Sequence, residues 1–138
     1  MTPLSSSRGT PQHDPLTGLL TREGMVAALS GALADPSEQP DMGYVALDID
    51  HLARLNQAFG LGFGDRVLPA TGAFLARRVP NLIAAGRMSG GGFGILLRCT
   101  GQESLQFRAQ KLVQCLSTDL LQLDRRALVT ASAGATLL

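Results

Sequence analysis

Apolar and polar positions alternate in blocks along this chain, and the spacing changes from block to block. Met25, Leu29 and Leu33 recur at helical spacing behind Thr21, which is placed to cap a helix over Arg22–Ala34. Glu23 falls in its first turn, where the helix dipole favours an acid. Asp35-Pro36-Ser37 stops that helix. Gly43–Asp48 is an unbroken apolar run of strand length, of the kind found at the centre of a sheet. A helix follows, with Asp50 as its expected cap and Leu52, Leu55 and Phe59 facing inward. The glycine-rich stretch Gly60–Gly64 reads as a loop, and Asp65 as the start of a helix to Arg78 with Pro69 in its first turn.

The second half repeats these alternations. Leu82–Met88 and Phe93–Arg98 read as two strands joined by Ser89-Gly90-Gly91-Gly92. Short apolar runs joined by glycine are a β-hairpin signal, because tight turns need positive φ. A turn needs only one or two glycines, so this tip carries an excess. A bare tip lets backbone N–H groups approach a phosphate; it is also what remains when side chains that once did chemistry have been lost. Gln102–Leu120 predicts a helix with a stripe of Leu105, Ala109, Leu112, Val113 and Leu116, and Leu128–Ala135 a last strand. The order α-β-α-α-β-β-α-β contains a βαββαβ unit, the α+β arrangement of ferredoxin-like and palm-type sheets.

Composition narrows the function classes. A chain of 138 residues with 45% hydrophobic and 17% charged content predicts one domain with its own core. Residues 1–13, rich in Ser, Pro, Thr and Gly, read as a flexible arm or linker ahead of a domain over 14–138. A formal net charge of +1 provides no field for nucleic acid or for an anionic membrane surface. No run reaches membrane-spanning length and no signal peptide is visible, so a cytoplasmic location is expected, without membrane insertion. Cys99 and Cys115 form neither a CxxC pair nor a zinc pattern and read as inert thiols of a reduced compartment.

Several stretches together resemble the GGDEF family, the diguanylate cyclases. Asp14–Arg22 (DPLTGLLTR) is similar to the family's DxLTGLxNR opening, and DIDHLARLNQAFGLGFGD from Asp48 to Asp65 to its DxDxFKxxNDxxGHxxGD stretch. Arg87–Phe93 (RMSGGGF) aligns with RxGGDEF, and Thr130–Gly134 (TASAG) with a late S-[IA]-G strand. The resemblance implies a palm-like α/β fold with a mainly antiparallel sheet. It also implies a site in which two domains, each holding GTP and magnesium, join the nucleotides into cyclic di-GMP.

Carried over residue by residue, the resemblance makes Asp48 a metal carboxylate and Ile49 a carbonyl donor. Asn56 and Asp65 become the guanine-reading pair, and Gly90 the signature's second glycine. The departures are severe. Gly91 stands where the family has a metal-binding acid, and Gly92 where it has a catalytic Glu. Ser89 replaces the first glycine, and Ala53 a phosphate-neutralising lysine. The product-inhibition motif RxxD would fall at Pro80-Asn81-Leu82-Ile83, which carries neither charge. A lost metal carboxylate removes on the order of several kcal/mol of transition-state stabilisation, and about 1.4 kcal/mol is already tenfold in rate.

Bland readings stand beside these. Asp48 is also a carboxylate at a solvent-facing strand end. Asn56 and Asp65 can equally hold the glycine-rich loop and cap the following helix. Arg87 is placed to pair with Asp14, tying the N-terminal turn to the hairpin. Ser89 has no base to make it a nucleophile, and His51 reads as a solvated first-turn residue.

The expectation is therefore a catalytically inactive GGDEF domain acting as a regulatory or interaction module in a multidomain cyclic di-GMP protein. A sensor or an EAL phosphodiesterase domain would be its linked partner, and a homodimer is a further option. Two alternatives are a module that binds GTP with magnesium through Asn56, Asp65, Ser89, Gly90 and Gly91 without turnover, and a residual cyclase. Family members also continue with a helix resembling ADxALYxAK and a closing strand, which the resemblance expects beyond Leu138, or replaced by a partner or a second copy.

Overall fold

The computed structural model describes residues 12–35 and 41–138, except for the side chain of Leu61. Helix α1 spans Arg22–Ala34, strand β1 Met42–Ile49, α2 Leu52–Phe59 and α3 Leu61–Arg78. Strands β2 (Leu82–Ser89) and β3 (Gly92–Arg98), helix α4 (Gln102–Leu120) and strand β4 (Ala131–Leu137) complete it. The order is the one the apolar spacing predicts. The arm lies outside the described residues as far as residue 11. Gln12 and His13 already belong to the domain: the Gln12 carbonyl accepts from the Thr21 N–H at 2.8 Å, and His13 bridges to Leu20.

The four strands form one antiparallel sheet in the order β2-β3-β1-β4. Period-two side-chain alternation splits each strand between two faces. Val45, Leu47 and Ile49 of β1, with Phe93, Ile95 and Leu97 of β3, enter a core closed by Phe63, Val67 and Phe74 of α3 and by Leu105, Ala109 and Leu116 of α4. The opposite face carries a smaller core, where Met25 of α1 meets Met42 and Leu96. Beyond α1 that second face is open, and Ala46, Asp48, Ser132 and Gly134 are exposed on it.

Local expectations and structure differ in five respects. Helix α3 begins at Leu61, because Gly60, at φ 95°, reverses the chain and Phe63 N–H already bonds the Gly60 carbonyl at 3.1 Å. Asp65 is therefore inside the helix rather than its cap. Pro69 sits in the helix interior, where it cannot donate to the carbonyl of Asp65. The cap of α2 is His51, at φ 57° and without a side-chain bond, rather than Asp50. Strand β4 starts at Ala131, which pairs with Ile49, the last residue of β1; Thr130 before it meets the chain beyond β1 through the bond its carbonyl accepts from the Asp50 N–H. Finally, Leu33 of α1 is 53% exposed, because the helix packs through Met25, Leu29 and Ala32 and not through that position.

Candidate functional site

The site is the end of the sheet where β1 finishes and the β2–β3 hairpin turns. Asp48, the last outward-facing residue of β1, is paired in register with Gly92 on one side and Ser132 on the other. The neighbouring Ile49 is buried, and its N–H donates to the Gly91 carbonyl at 2.9 Å, which fixes the hairpin tip against the strand end. A shift of register between Arg87 and Ser89 marks a bulge just before the tip.

Of the three tip glycines only Gly90 has positive φ, 45°. The backbone at Gly91 and Gly92 is open to any residue type in conformation. A Cβ at Gly91 would lie 3.6 Å from Asp48 Oδ1, and one at Gly92 3.9 Å from the same oxygen. Both positions therefore address Asp48, and both address it with hydrogen. Space there is tight but not closed: a Cβ at Gly91 meets Ile49 and Leu52 at 3.3 Å, and one at Gly92 the Ser89 carbonyl at 3.1 Å.

Asp50, two residues beyond Asp48, turns to β4. Its carboxylate accepts from Thr130 Oγ1 at 2.8 Å and Ser132 Oγ at 2.7 Å, while its N–H donates to the Thr130 carbonyl. Sequence reasoning missed this latch; the hydroxyls of the TASAG stretch were its only signal. Asn56 Oδ1 accepts from the Gly64 N–H at 2.8 Å, and Gly64 has no room for a Cβ against that amide. Asp65, the next residue, is exposed on the first turns of α3, as is Ser89 at the tip.

Arg87 joins two pieces. Its guanidinium lies 3.5 Å from Asp14 Oδ2, and its Nε donates to the Gly90 carbonyl at 3.3 Å. The same Asp14 oxygen accepts from the Thr17 N–H and hydroxyl, each at 2.9 Å. Burial by itself would raise the Asp14 pKa; the Thr17 hydrogen bonds and the Arg87 charge outweigh it and hold the carboxyl below its ordinary value.

Magnesium asks for carboxylates and phosphate oxygens around a nearly octahedral ion. Among the described residues the tip has one carboxylate facing it, Asp48, since the Asp50 oxygens accept from Thr130 and Ser132. No group of three or more His, Cys, Asp or Glu able to hold a metal occurs among the described residues. The residues at the tip do not fit the two-carboxylate metal site that the resemblance implies.

The antiparallel sheet with helices on its faces, a glycine tip against a strand-end aspartate, and the Asp14–Arg87 tie define a GGDEF domain. The family model for the diguanylate cyclase GGDEF domain matches residues 11–138, and the chain belongs to that family, the cyclic di-GMP signalling family. It is 30% identical over 96% of its length to the diguanylate cyclase DgcP of Pseudomonas aeruginosa, of which it covers 20%. The GGDEF domain of FimX from the same organism superposes with a TM-score of 0.77 at 21% identity, covering 91% of this chain and 79% of that one. A GGDEF-EAL structure of Vibrio cholerae LapD bound to c-di-GMP has the same fold, with a TM-score of 0.69 at 19% identity over 97% of this chain and 30% of that one. The chain spans from 17% to 50% of the length of the curated relatives it matches. Among the described residues no helix is long and apolar enough to cross a membrane.

Proposed function

We propose that this chain is a GGDEF domain without cyclase activity, serving as a regulatory or interaction module of a larger cytoplasmic cyclic di-GMP protein. The observation that carries this reading is the pair of hydrogens at Gly91 and Gly92, the two positions whose side chains would face Asp48. Phosphoryl transfer is catalysed almost wholly by positioning and charge neutralisation. A tip with one carboxylate has little of either to offer. The LapD likeness supports an EAL domain as the linked partner, as a sensor or a second copy would also suit a module of this kind.

Incubation of the purified chain with GTP and magnesium, followed by nucleotide chromatography, tests the reading. No cyclic di-GMP is expected overnight; formation beyond one equivalent overturns it. A second reading, GTP binding without turnover, is favoured by Asn56, whose amide is fixed by Gly64 beside the exposed Asp65. Calorimetry with GTP and magnesium separates the two: saturable heat supports the second, and none at millimolar nucleotide removes it.

A further inference from the structure

A pocket of about 180 Å³ lies on the helical face, between α3, α4 and the sheet. Val45, Phe74, Leu97 and Leu112 line its interior. The pocket is half open to solvent, and an apolar group seated in it would make the close dispersion contacts that protein interiors make. An engineered cavity of about 150 Å³ with a similar aliphatic and aromatic lining stays dry and binds benzene. The space here therefore suits one aromatic ring, or an alkyl chain of the same bulk.

Its mouth is positive. Arg108 is held across it by hydrogen bonds to the carbonyls of Arg98, at 2.9 Å, and Pro80. Arg78 lies over the Phe74 ring at 5.3 Å and reaches Asp119 at 4.0 Å. Lys111 is exposed and makes no hydrogen bond or ion pair among the described residues. Three cations thus face one carboxylate. The mouth opens onto a polar depression that shares Arg78, Lys111 and Cys115 and continues over Gln114 and Thr118. An apolar interior leading directly to a cationic shelf is complementary to a molecule with the same division.

We infer that this pocket binds a small amphipathic carboxylate, its ring or short chain against Phe74 and Leu97 and its carboxylate on Lys111 and Arg78. Leu97 is five residues along β3 from Gly92, about 17 Å of strand. The site is thus separate from the hairpin tip, and the inference stands whatever the tip does with GTP.

Calorimetry of the 138-residue chain with 3-phenylpropionate, octanoate and the uncharged 3-phenylpropanol tests it. Saturable binding of at least one acid is expected, at least tenfold tighter than the alcohol, as a charge-assisted hydrogen bond provides. The tighter acid shows whether a ring or an alkyl chain is preferred. Lys111→Met, on the exposed face of α4, is expected to melt as the parent does and to abolish the preference for acid over alcohol. In the parent chain the bound acid is expected to slow alkylation of the half-buried Cys115 by iodoacetamide severalfold. The inference is overturned by absence of saturable heat up to about 10 mM acid, by equal affinity for acid and alcohol, by an acid preference that survives Lys111→Met, or by unprotected Cys115.

Discussion

Gly91 and Gly92 solve no conformational problem, since neither needs positive φ; they leave space beside a carboxylate. Supplying acids there (Gly91→Asp with Gly92→Glu) is expected to create millimolar manganese binding that the parent lacks and that Asp48→Asn abolishes, read by calorimetry or by paramagnetic relaxation. His51 presents the opposite case. It is a non-glycine residue at φ 57°, exposed and without a capping bond. The left-handed conformation costs an L-residue about 1–2 kcal/mol, offset in part by glycine's greater unfolded-state entropy. His51→Gly is therefore expected to raise unfolding free energy by about 0.5–1 kcal/mol in urea titrations. Asp50 shows why the single-residue reading of this segment was incomplete. An aspartate before an apolar run is a cap by rule, but Thr130 and Ser132 lie eighty and more positions on in sequence and outbid the helix terminus for its oxygens.

At the scale of elements, the N-terminal turn and the hairpin are one unit through Arg87. The depressed pKa of Asp14 means that the folded state favours its ionised form. That stability is fully present above the ordinary aspartate value of about 3.9 and is lost as pH falls through the lower folded value. Asp14→Asn is expected to lower stability by about 1 kcal/mol at pH 6, with the gap to the parent closing below about pH 3.9 in pH-resolved thermal melts. The junction of α2 and α3 rests on a different bond. Asn56→Ala leaves the buried Gly64 N–H without its acceptor and is expected to cost about 1–3 kcal/mol by urea unfolding. The helical stripes and the two hairpin strands were legible from apolar spacing. The start of α3 was not, because three glycines in five residues argue for a loop until Phe63, only 2% exposed, is seen to anchor the first turn.

The whole molecule is a sheet with unequal cores on its two faces, and the larger one closes where α4 crosses β1. Leu105 is fully buried there, against Gly43, whose missing Cβ would lie 2.7 Å from the leucine Cδ2. Leu105→Ala is expected to cost about 2–5 kcal/mol in urea unfolding. By itself the sequence determined the order of elements, the inward stripes and the absence of acids from the hairpin tip. These are properties of local spacing and residue type, which the chain carries whatever surrounds it. Only the tertiary structure decided which oxygen the tip glycines face, that Asp50 bonds β4, and that Arg78, Arg108 and Lys111 share the mouth of an apolar pocket. Each of those depends on segments far apart in the chain being brought within a few ångströms, and pairwise distance of that kind is not written in any one stretch.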